Sequence, residues 1–152
     1  AAGVIGDPAN IPWLIQQMAN PVVARVAGES FTFITGIDLA YDDLETDKPE
    51  GFEAGPTENP EDENVEMDPD EDLPWPNPQL IEKWWFTHRL QFTNGTRYLC
   101  GQPMTIESLN QVLRTGRQRQ RTAGAIELAI RQSGTRLFNR SAPGFRQQAL
   151  LK

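Results

Sequence analysis

Acidic residues are concentrated in one stretch of this chain, and that stretch limits how much of the chain can fold around a core. Residues 38–72 contain sixteen Asp or Glu and a single basic residue, Lys48. Prolines and glycines recur through the same stretch, which has too little apolar surface to offset the entropy of ordering its backbone. The sequence therefore predicts an acidic Pro-rich linker over 38–76, between foldable parts at 1–37 and 77–152.

The predicted linker contains few residues that can pack on a folded surface. We expect local docking by Phe52, Val65 and Met67. At its end, Leu73-Pro74-Trp75-Pro76 places an aromatic ring between two prolines, which is typical of an extended anchor. Deletion of residues 45–70 is therefore expected to leave thermal stability nearly unchanged, because little apolar area would be lost.

The first 37 residues carry the pattern of two helices joined by a tight turn. Asp7-Pro8 and Asn20-Pro21 each combine an N-cap residue with a first-turn proline. Apolar residues follow each signal at three- and four-residue spacing up to Gly36, a typical helix stop. The pattern predicts an αα-hairpin whose apolar faces contain Ile11, Leu14, Ile15 and Met18 in the first helix, and Val22, Val23, Val26, Ala27, Phe31 and Ile34 in the second.

The part after the linker is also predicted to be helical. Asn77-Pro78 opens a helix, and the residues from Arg97 to Cys100 are apolar enough for a strand or an extended arm. Thr105 then caps the first helix of a second αα-hairpin, and a final helix begins at Pro143. The apolar faces of the second hairpin are predicted to contain Ile106, Leu109, Val112 and Leu113, then Ala123, Ile126, Ala129 and Ile130.

The two hairpins resemble each other in their second helices. Ala24-Arg25-Val26-Ala27-Gly28 matches Gln120-Arg121-Thr122-Ala123-Gly124, and Ile34 then falls opposite Ile130. A match at equivalent helical positions is the signature of stacked repeats. The stretch from Gly6-Asp7-Pro8 to Gly36 is similar to a HEAT-like repeat of the phycobilisome-lyase type, so the expected fold is all-α: a fragment of an α-solenoid with a long acidic insertion.

A wider resemblance covers most of the chain. It rests on Gly6-Asp7-Pro8, Pro12-Trp13-Leu14, the stretch 31–37, Leu73-Pro74-Trp75-Pro76, Trp84-Trp85, Gly101-Gln102-Pro103 and Arg117-Gln118-Arg119-Gln120-Arg121. This series resembles a bacterial HEAT-repeat family of unassigned biochemical function whose members are often encoded near type VI secretion genes. The resemblance implies an association with type VI secretion, and protein binding or scaffolding is the function we expect of the repeat architecture.

Arginines of the second half are the first candidates for a binding surface. Arg114, Arg117 and Arg121 share one helical face if the break at Gly116 is bridged, and Arg97 precedes them. Such a cluster binds carboxylate or phosphate groups. The alternative interpretation is that Arg25, Arg119 and Arg121 pack between repeats and pair with acidic or carbonyl groups in the turns.

Charge weighs against nucleic acid as the partner of this basic surface. Phosphate neutralisation dominates such binding, but the tethered acidic stretch would compete for the same arginines at high effective concentration. The sequence therefore predicts that the acidic insertion folds over the basic part of the same chain, and a protein partner is favoured. Assembly with a second copy is compatible with the sequence.

Trp75 and Trp85 are the aromatic candidates for partner binding, because aromatic residues concentrate at interface hot spots. Trp13, Trp84 and Phe92 are expected to be buried in the core. The predicted partner-binding residues are thus Arg97, Arg114, Arg117, Arg121, Trp75 and Trp85.

Catalytic and metal-binding signals are weak. Cys100 and His88 have no neighbouring Asp, Asn or second His that would form a nucleophilic dyad, and they are too few for a zinc site. Prolines interrupt the acidic runs in a way that an EF-hand excludes. We expect a cytoplasmic, non-enzymatic protein without cofactor, metal or membrane span. The alternatives are a lyase-type enzyme and a nucleic-acid-binding repeat.

Overall fold

The computed structural model describes residues 1–55, 61, 63, 66–134 and 136–151. Over these residues the chain is mostly helical, with seven α-helices and two short antiparallel strand pairs. The helices are α1 (Ala2–Ile5), α2 (Ile11–Gln17), α3 (Ala24–Thr35), α4 (Pro78–His88), α5 (Ile106–Thr115), α6 (Gln118–Arg131) and α7 (Gly144–Leu150). The strands are β1 (Glu45–Thr46), β2 (Trp75–Pro76), β3 (Tyr98–Leu99) and β4 (Gln102–Pro103).

Helix starts follow the cap residues at three of the four predicted places. The Asp7 side chain accepts a hydrogen bond from the Ala9 amide at 2.9 Å, at a 3₁₀ turn that leads into α2. Asn77 caps α4, and Thr105 caps α5. The prediction at Asn20 was wrong, because its side chain accepts from the Val22 amide in a turn, and α3 begins only at Ala24.

The first core cluster joins the opening helices to α4. The predicted apolar residues of α2 are all buried, and they pack against α3. Ile81 of α4 and Tyr98 of β3 complete the cluster. The first predicted pair of helices is therefore confirmed, but Val22, Val23 and Val26 of its predicted apolar faces are exposed. The predicted residues that are buried are Ile11, Leu14, Ile15, Met18, Ala27, Phe31 and Ile34.

The second core cluster is built by α5 and α6, which pack as the second predicted helix pair. Leu109, Val112 and Leu113 of α5 and Ala123 of α6 are buried as expected, whereas Ile106 is exposed. Ile126 and Ile130 are also exposed, since α6 buries Ala125, Glu127 and Leu128 in place of them. The proposed repeat match thus fails at its last position, where Ile34 is 0% exposed and Ile130 is 71% exposed.

The hairpin formed by β3 and β4 connects the two clusters. Tyr98 belongs to the first cluster and the next residue, Leu99, to the second. The Tyr98 amide donates to the Gly6 carbonyl at 2.7 Å, and the Cys100 amide donates to the Phe33 carbonyl at 2.6 Å. This confirms the predicted extended segment, which runs against the glycine ends of α1 and α3.

The interval predicted as a linker, 38–76, is integrated into the fold over its described residues. Leu39 and Leu44 are buried in the first core cluster. β1 pairs with β2, and the Asn77 amide donates to the Leu44 carbonyl at 2.8 Å. A count of charges does not reveal these contacts, since two leucines spaced to anchor a loop lie among the acidic residues. The bounds of the linker stay a prediction.

The expected local docking is confirmed for one of its three residues. Phe52 packs edge-on against Trp75 with ring centroids 4.9 Å apart. Met67 is exposed, and Val65 lies outside the described residues. Nowhere in the described part of the chain is a helix both long and apolar enough to cross a membrane.

Candidate protein-binding surfaces

Two arginines hold the acidic segment against the helices. Arg25 of α3 donates from Nη2 to Asp68 Oδ2 at 2.6 Å and from Nη1 to the Asp70 carbonyl at 2.8 Å. Arg119 of α6 donates to the Pro69 carbonyl at 2.6 Å and to Asp70 Oδ1 at 3.2 Å. We call this arrangement of Arg25 and Arg119 around Asp68-Pro69-Asp70 the arginine clamp.

The ionisation of Asp68 is matched to the clamp. The Asp70 amide donates to its carboxylate at 3.0 Å, and Arg25 supplies a second hydrogen bond and a positive charge. These contacts lower the pKa of Asp68 below its ordinary value, because they favour the charged form. The clamp is therefore fully formed at neutral pH.

Trp75 belongs to the same arrangement and is not a free binding residue. The Arg25 guanidinium lies 4.6 Å from the centre of the Trp75 ring and 5.6 Å from that of Phe52. Such stacking leaves the guanidinium edge available for its hydrogen bonds. The predicted role of Trp75 as an anchor on the folded part agrees with this position, and the half-buried ring offers a partner little free area.

Arg117 and Arg119, at the start of α6, pair with acidic residues from the first half of the chain. Arg117 forms an ion pair with Asp38, and Arg119 also pairs with Glu29 at 3.1 Å. The acidic interval therefore covers part of the basic region, as its charge predicted. A cleft of about 270 Å³ remains beside these residues, with Leu73 and Pro74 on its wall.

The Arg97 guanidinium is held by hydrogen bonds to groups of its own chain. It donates two hydrogen bonds to the Glu127 carboxylate, at 2.8 and 2.9 Å, and one to the Ile5 carbonyl at 2.6 Å. Arg131 donates to the same carboxylate at 2.7 Å. Burial alone would raise the pKa of Glu127, but the hydrogen bonds from Arg131 and Arg97 outweigh it and hold that pKa below its ordinary value.

Arg114 and Arg121 do not form one basic face with Arg117. Arg121 donates to the Leu113 carbonyl at 2.8 Å and to the Gln147 side chain, so it ties α5, α6 and α7 together. Arg114 donates to the Leu151 carbonyl at 3.0 Å. The three side chains bind three different parts of the chain. Arg25, Arg119 and Arg121 each bind acidic, carbonyl or amide groups of their own chain, and their place between repeats stays a prediction.

Trp85 lines an open groove between the start of α2 and the end of α4. The groove encloses about 410 Å³ and we call it the Trp85 groove. The Trp85 side chain is half-buried, and its ring is tilted against that of Phe92 with the ring centroids 5.4 Å apart. Both rings line the groove. The lining residues are Pro8, Ala9, Pro12, Trp85, Arg89, Leu90, Phe92, Thr93 and Asn94.

Large apolar side chains stand exposed at this end of α4. Leu90, in the groove wall, is 94% exposed. Phe86 is exposed and carries the Arg89 guanidinium 4.9 Å from its ring centre. Trp13 is 52% exposed, so its predicted burial was wrong: α2 places Leu14 and Ile15 inward and Trp13 outward.

Cys100 and His88 do not form a reactive pair. His88 stacks on Trp84, and its Nδ1 lies 2.7 Å from the Trp84 carbonyl oxygen. Burial raises the pKa of the Cys100 thiol to about 11, which keeps it protonated at neutral pH. Cys100 lines a cavity of about 580 Å³ to which neither His88 nor Trp85 contributes.

Two features of these surfaces escaped the sequence interpretation. The exposed wall of Phe86 and Leu90 was signalled by three consecutive aromatics, Trp84-Trp85-Phe86, because one helix face cannot bury all three. The arginine clamp had no comparable signal, since nothing in the sequence says that Asp68 meets Arg25. In the described part of the chain, no three His, Cys, Asp or Glu residues are grouped so as to hold a metal ion.

Taken together, the fold and these surfaces define a mostly α-helical protein with an acidic segment docked on its helices. Comparison with protein-family models gave no match, and neither the curated proteins nor the solved structures yielded a significant match.

Proposed function

We propose that this chain is a non-catalytic protein-binding module that holds a short segment of another protein in the Trp85 groove. The observation that supports this most directly is the 94% exposure of Leu90 in the wall of a groove that Trp85 and Phe92 also line. Isolated apolar residues on a surface need no explanation, but a concave surface with several of them is typical of an interaction site.

The lining of the groove indicates the chemistry of its partner. Among the described residues that line the groove, Arg89 is the one charged residue, and none of them carries a carboxylate. Pro8 and Pro12 give it stiff walls, and Thr93 and Asn94 supply polar groups at the rim. The best-fitting ligand is a peptide with an apolar or aromatic anchor next to a carboxylate, since the anchor displaces water from the rings and the carboxylate pairs with Arg89.

The alternatives have less support. A lyase-type enzyme needs convergent reactive groups, whereas Cys100 is protonated and His88 is stacked on Trp84. Nucleic-acid binding needs free cations, whereas Arg117 and Arg119 are paired with carboxylates. The HEAT-like assignment is supported by two packed helix pairs and weakened by the different burial of Ile34 and Ile130. The link to type VI secretion stays a prediction from resemblance.

A peptide-library selection against the full chain tests the proposal. Enriched peptides are then titrated against the wild type, Leu90→Glu, and the control Val22→Glu, which adds the same charge at an exposed valine outside the groove. We expect Leu90→Glu to weaken binding at least about tenfold and Val22→Glu to leave it within about twofold, since hot-spot loss is local.

Fluorescence anisotropy gives the affinities, and thermal unfolding checks that both variants remain folded. Peptides that bind the wild type and Leu90→Glu equally well would place the binding surface elsewhere and refute the groove. Selection that enriches no peptide would count against the protein-binding function itself.

A further inference from the structure

A short acidic loop presents one aromatic side chain to solvent. Tyr41 is 86% exposed, although Leu39 and Leu44 on either side of it are buried in the first core cluster. The Leu44 amide donates to the Leu39 carbonyl at 2.8 Å, and the Asp42 amide donates to the Asp38 carbonyl at 2.9 Å. The loop is therefore held at both ends while the Tyr41 side chain lies in solvent.

The backbone of this loop is also constrained in the middle. Asp43 has φ of 55°, in the left-handed region that non-glycine residues seldom adopt. The Asp38 amide donates to the Asp42 carboxylate at 3.1 Å, which closes the loop further. A fixed loop that exposes an aromatic ring loses little entropy on binding, which is the property of an interface anchor.

An apolar cavity rimmed by arginine lies along α6. It encloses about 440 Å³, and Ile126 and Leu137, both exposed, form its apolar wall together with Phe138. Arg140 stands at its edge. No Asp or Glu occurs after Glu127, so the whole C-terminal stretch is basic and apolar.

The loop and the cavity are complementary in charge and chemistry. The loop offers an aromatic ring flanked by carboxylates, and the cavity offers apolar walls beside Arg140. Tyr41 does not occupy the cavity of its own chain, because it is exposed and is absent from the cavity lining.

Both features border the start of α6. Asp38, at the base of the loop, pairs with Arg117, and the adjacent residue Gln118 donates to the Arg140 carbonyl at 3.2 Å. Two complementary surfaces that adjoin each other can be used twice in one two-fold contact.

We propose that two copies of this chain form a reciprocal dimer in which Tyr41 of each copy enters the α6 cavity of the other. This interface is separate from the Trp85 groove. A contact between the two basic C-terminal stretches alone would be repulsive, whereas the reciprocal arrangement places each acidic loop against the arginines of the other copy. The small contact area predicts a weak, salt-sensitive dimer.

Sedimentation velocity on the full chain tests the dimer. At about 100 µM and low salt, we expect the mass to rise towards twice the 17.1 kDa of one chain and to return to one chain at about 0.5 M salt. Tyr41→Ser and Leu137→Glu, one on each side of the contact, should both abolish the rise. Val22→Ser, at an exposed valine outside both the α6 cavity and the Trp85 groove, should leave it unchanged.

Disulfide trapping tests the pairing itself. Tyr41→Cys and Leu137→Cys variants, oxidised together, should give a covalent dimer that neither variant gives alone. The proposal would be overturned by a wild type that stays monomeric, by association that survives Tyr41→Ser or is lost in Val22→Ser, or by growth beyond a dimer. It would equally be overturned if the mixture gave no covalent dimer.

Discussion

Arg25 and Asp68 lie 43 positions apart in the sequence, yet Arg25 Nη2 lies 2.6 Å from Asp68 Oδ2 in the fold. Both side chains are almost excluded from solvent. The pair joins α3 to a segment that, by composition alone, should have remained unfolded. The Trp75 ring lies against the same guanidinium, whose Cζ is 4.6 Å from the ring centre. The acidic segment is thus held by shape as well as by charge, which makes its attachment testable by single substitutions.

Replacing Arg25 with alanine is expected to detach the segment and lower the melting temperature by about 5 °C or more, because it leaves Asp68 without its ion pair and removes the stacking on Trp75. Arg89→Ala, at an exposed arginine that also stacks on an aromatic ring, serves as the control and should change the midpoint by less than about 2 °C. Thermal unfolding by circular dichroism gives the midpoints. Equal midpoints for Arg25→Ala and the wild type would restore the linker interpretation.

The same contacts make stability depend on acid. The folded-state pKa values of Asp68 and Glu127 are lowered, so on acidification the unfolded chain takes up protons before the folded chain does. Their stabilisation is present above the ordinary carboxyl pKa of about 4 and is lost as pH falls through the lowered values. Urea unfolding between pH 6 and pH 3 should show a smaller decline for Asp68→Asn than for the wild type.

Glu82→Gln is the matched control for that experiment, because Glu82 is an exposed carboxylate of α4. Its acid profile should follow that of the wild type. If Asp68→Asn declines as steeply as Glu82→Gln, Asp68 does not contribute to the pH dependence.

The sequence contained enough information for most of the helices. Cap residues such as Asn77 and Thr105 set the starts of helices, and the three- and four-residue spacing of apolar residues identified the buried face of α2. These signals are local, so they survive without knowledge of the fold. The buried face of α6 was predicted only at Ala123. Ala125 and Leu128 were missed, since the spacing was read from the two exposed isoleucines beside them.

The surfaces depended on long-range contacts that a local pattern cannot encode. Leu39 and Leu44 lie among acidic residues, and their burial follows from the position of α4, which lies more than thirty residues further along the chain. No partner for Arg97 was evident from the sequence, because Glu127 lies 30 residues further along the chain, in α6. The sequence could predict that the acidic interval would pair with the basic region, because opposite charges on one chain attract at high effective concentration. It could not predict which residues would pair.

The glycine at the end of α3 is required for two separate reasons. Gly36 has φ of 77°, and a Cβ there would lie 2.6 Å from the carbonyl carbon of Cys100. Gly95 has the same φ of 77°, but nothing lies within 4 Å of its Cβ position. A substitution there therefore measures the cost of the left-handed backbone conformation without a steric clash. Gly95→Ala should cost about 1 kcal/mol and Gly36→Ala at least about 2 kcal/mol more, measured by urea unfolding. Equal losses would mean that β3 does not press against α3.

Arg97 is expected to stabilise the fold, although the sequence made it a candidate for partner binding. Arg97→Ala leaves the buried Glu127 carboxylate with Arg131 alone and frees the Ile5 carbonyl, so stability should fall by about 1–2 kcal/mol. Arg114→Ala, which loses one hydrogen bond at the surface, should fall by less than about 0.5 kcal/mol. Chemical denaturation of both variants separates the two roles, and similar losses would show that Arg97 is not a structural residue.

Cys100 provides the sharpest test of the non-catalytic proposal. Because burial raises its pKa to about 11, only about 0.1% of the thiol is ionised at pH 8, against about 10% for a thiol of pKa 9. Reaction with a chromogenic disulfide should therefore be at least about a hundredfold slower than that of a cysteine placed at Tyr41, which is exposed. Stopped-flow absorbance between pH 7 and pH 10 follows both rates. A Cys100 rate that matches the exposed thiol and levels off near pH 8 would show an activated thiolate and return weight to the enzyme alternative.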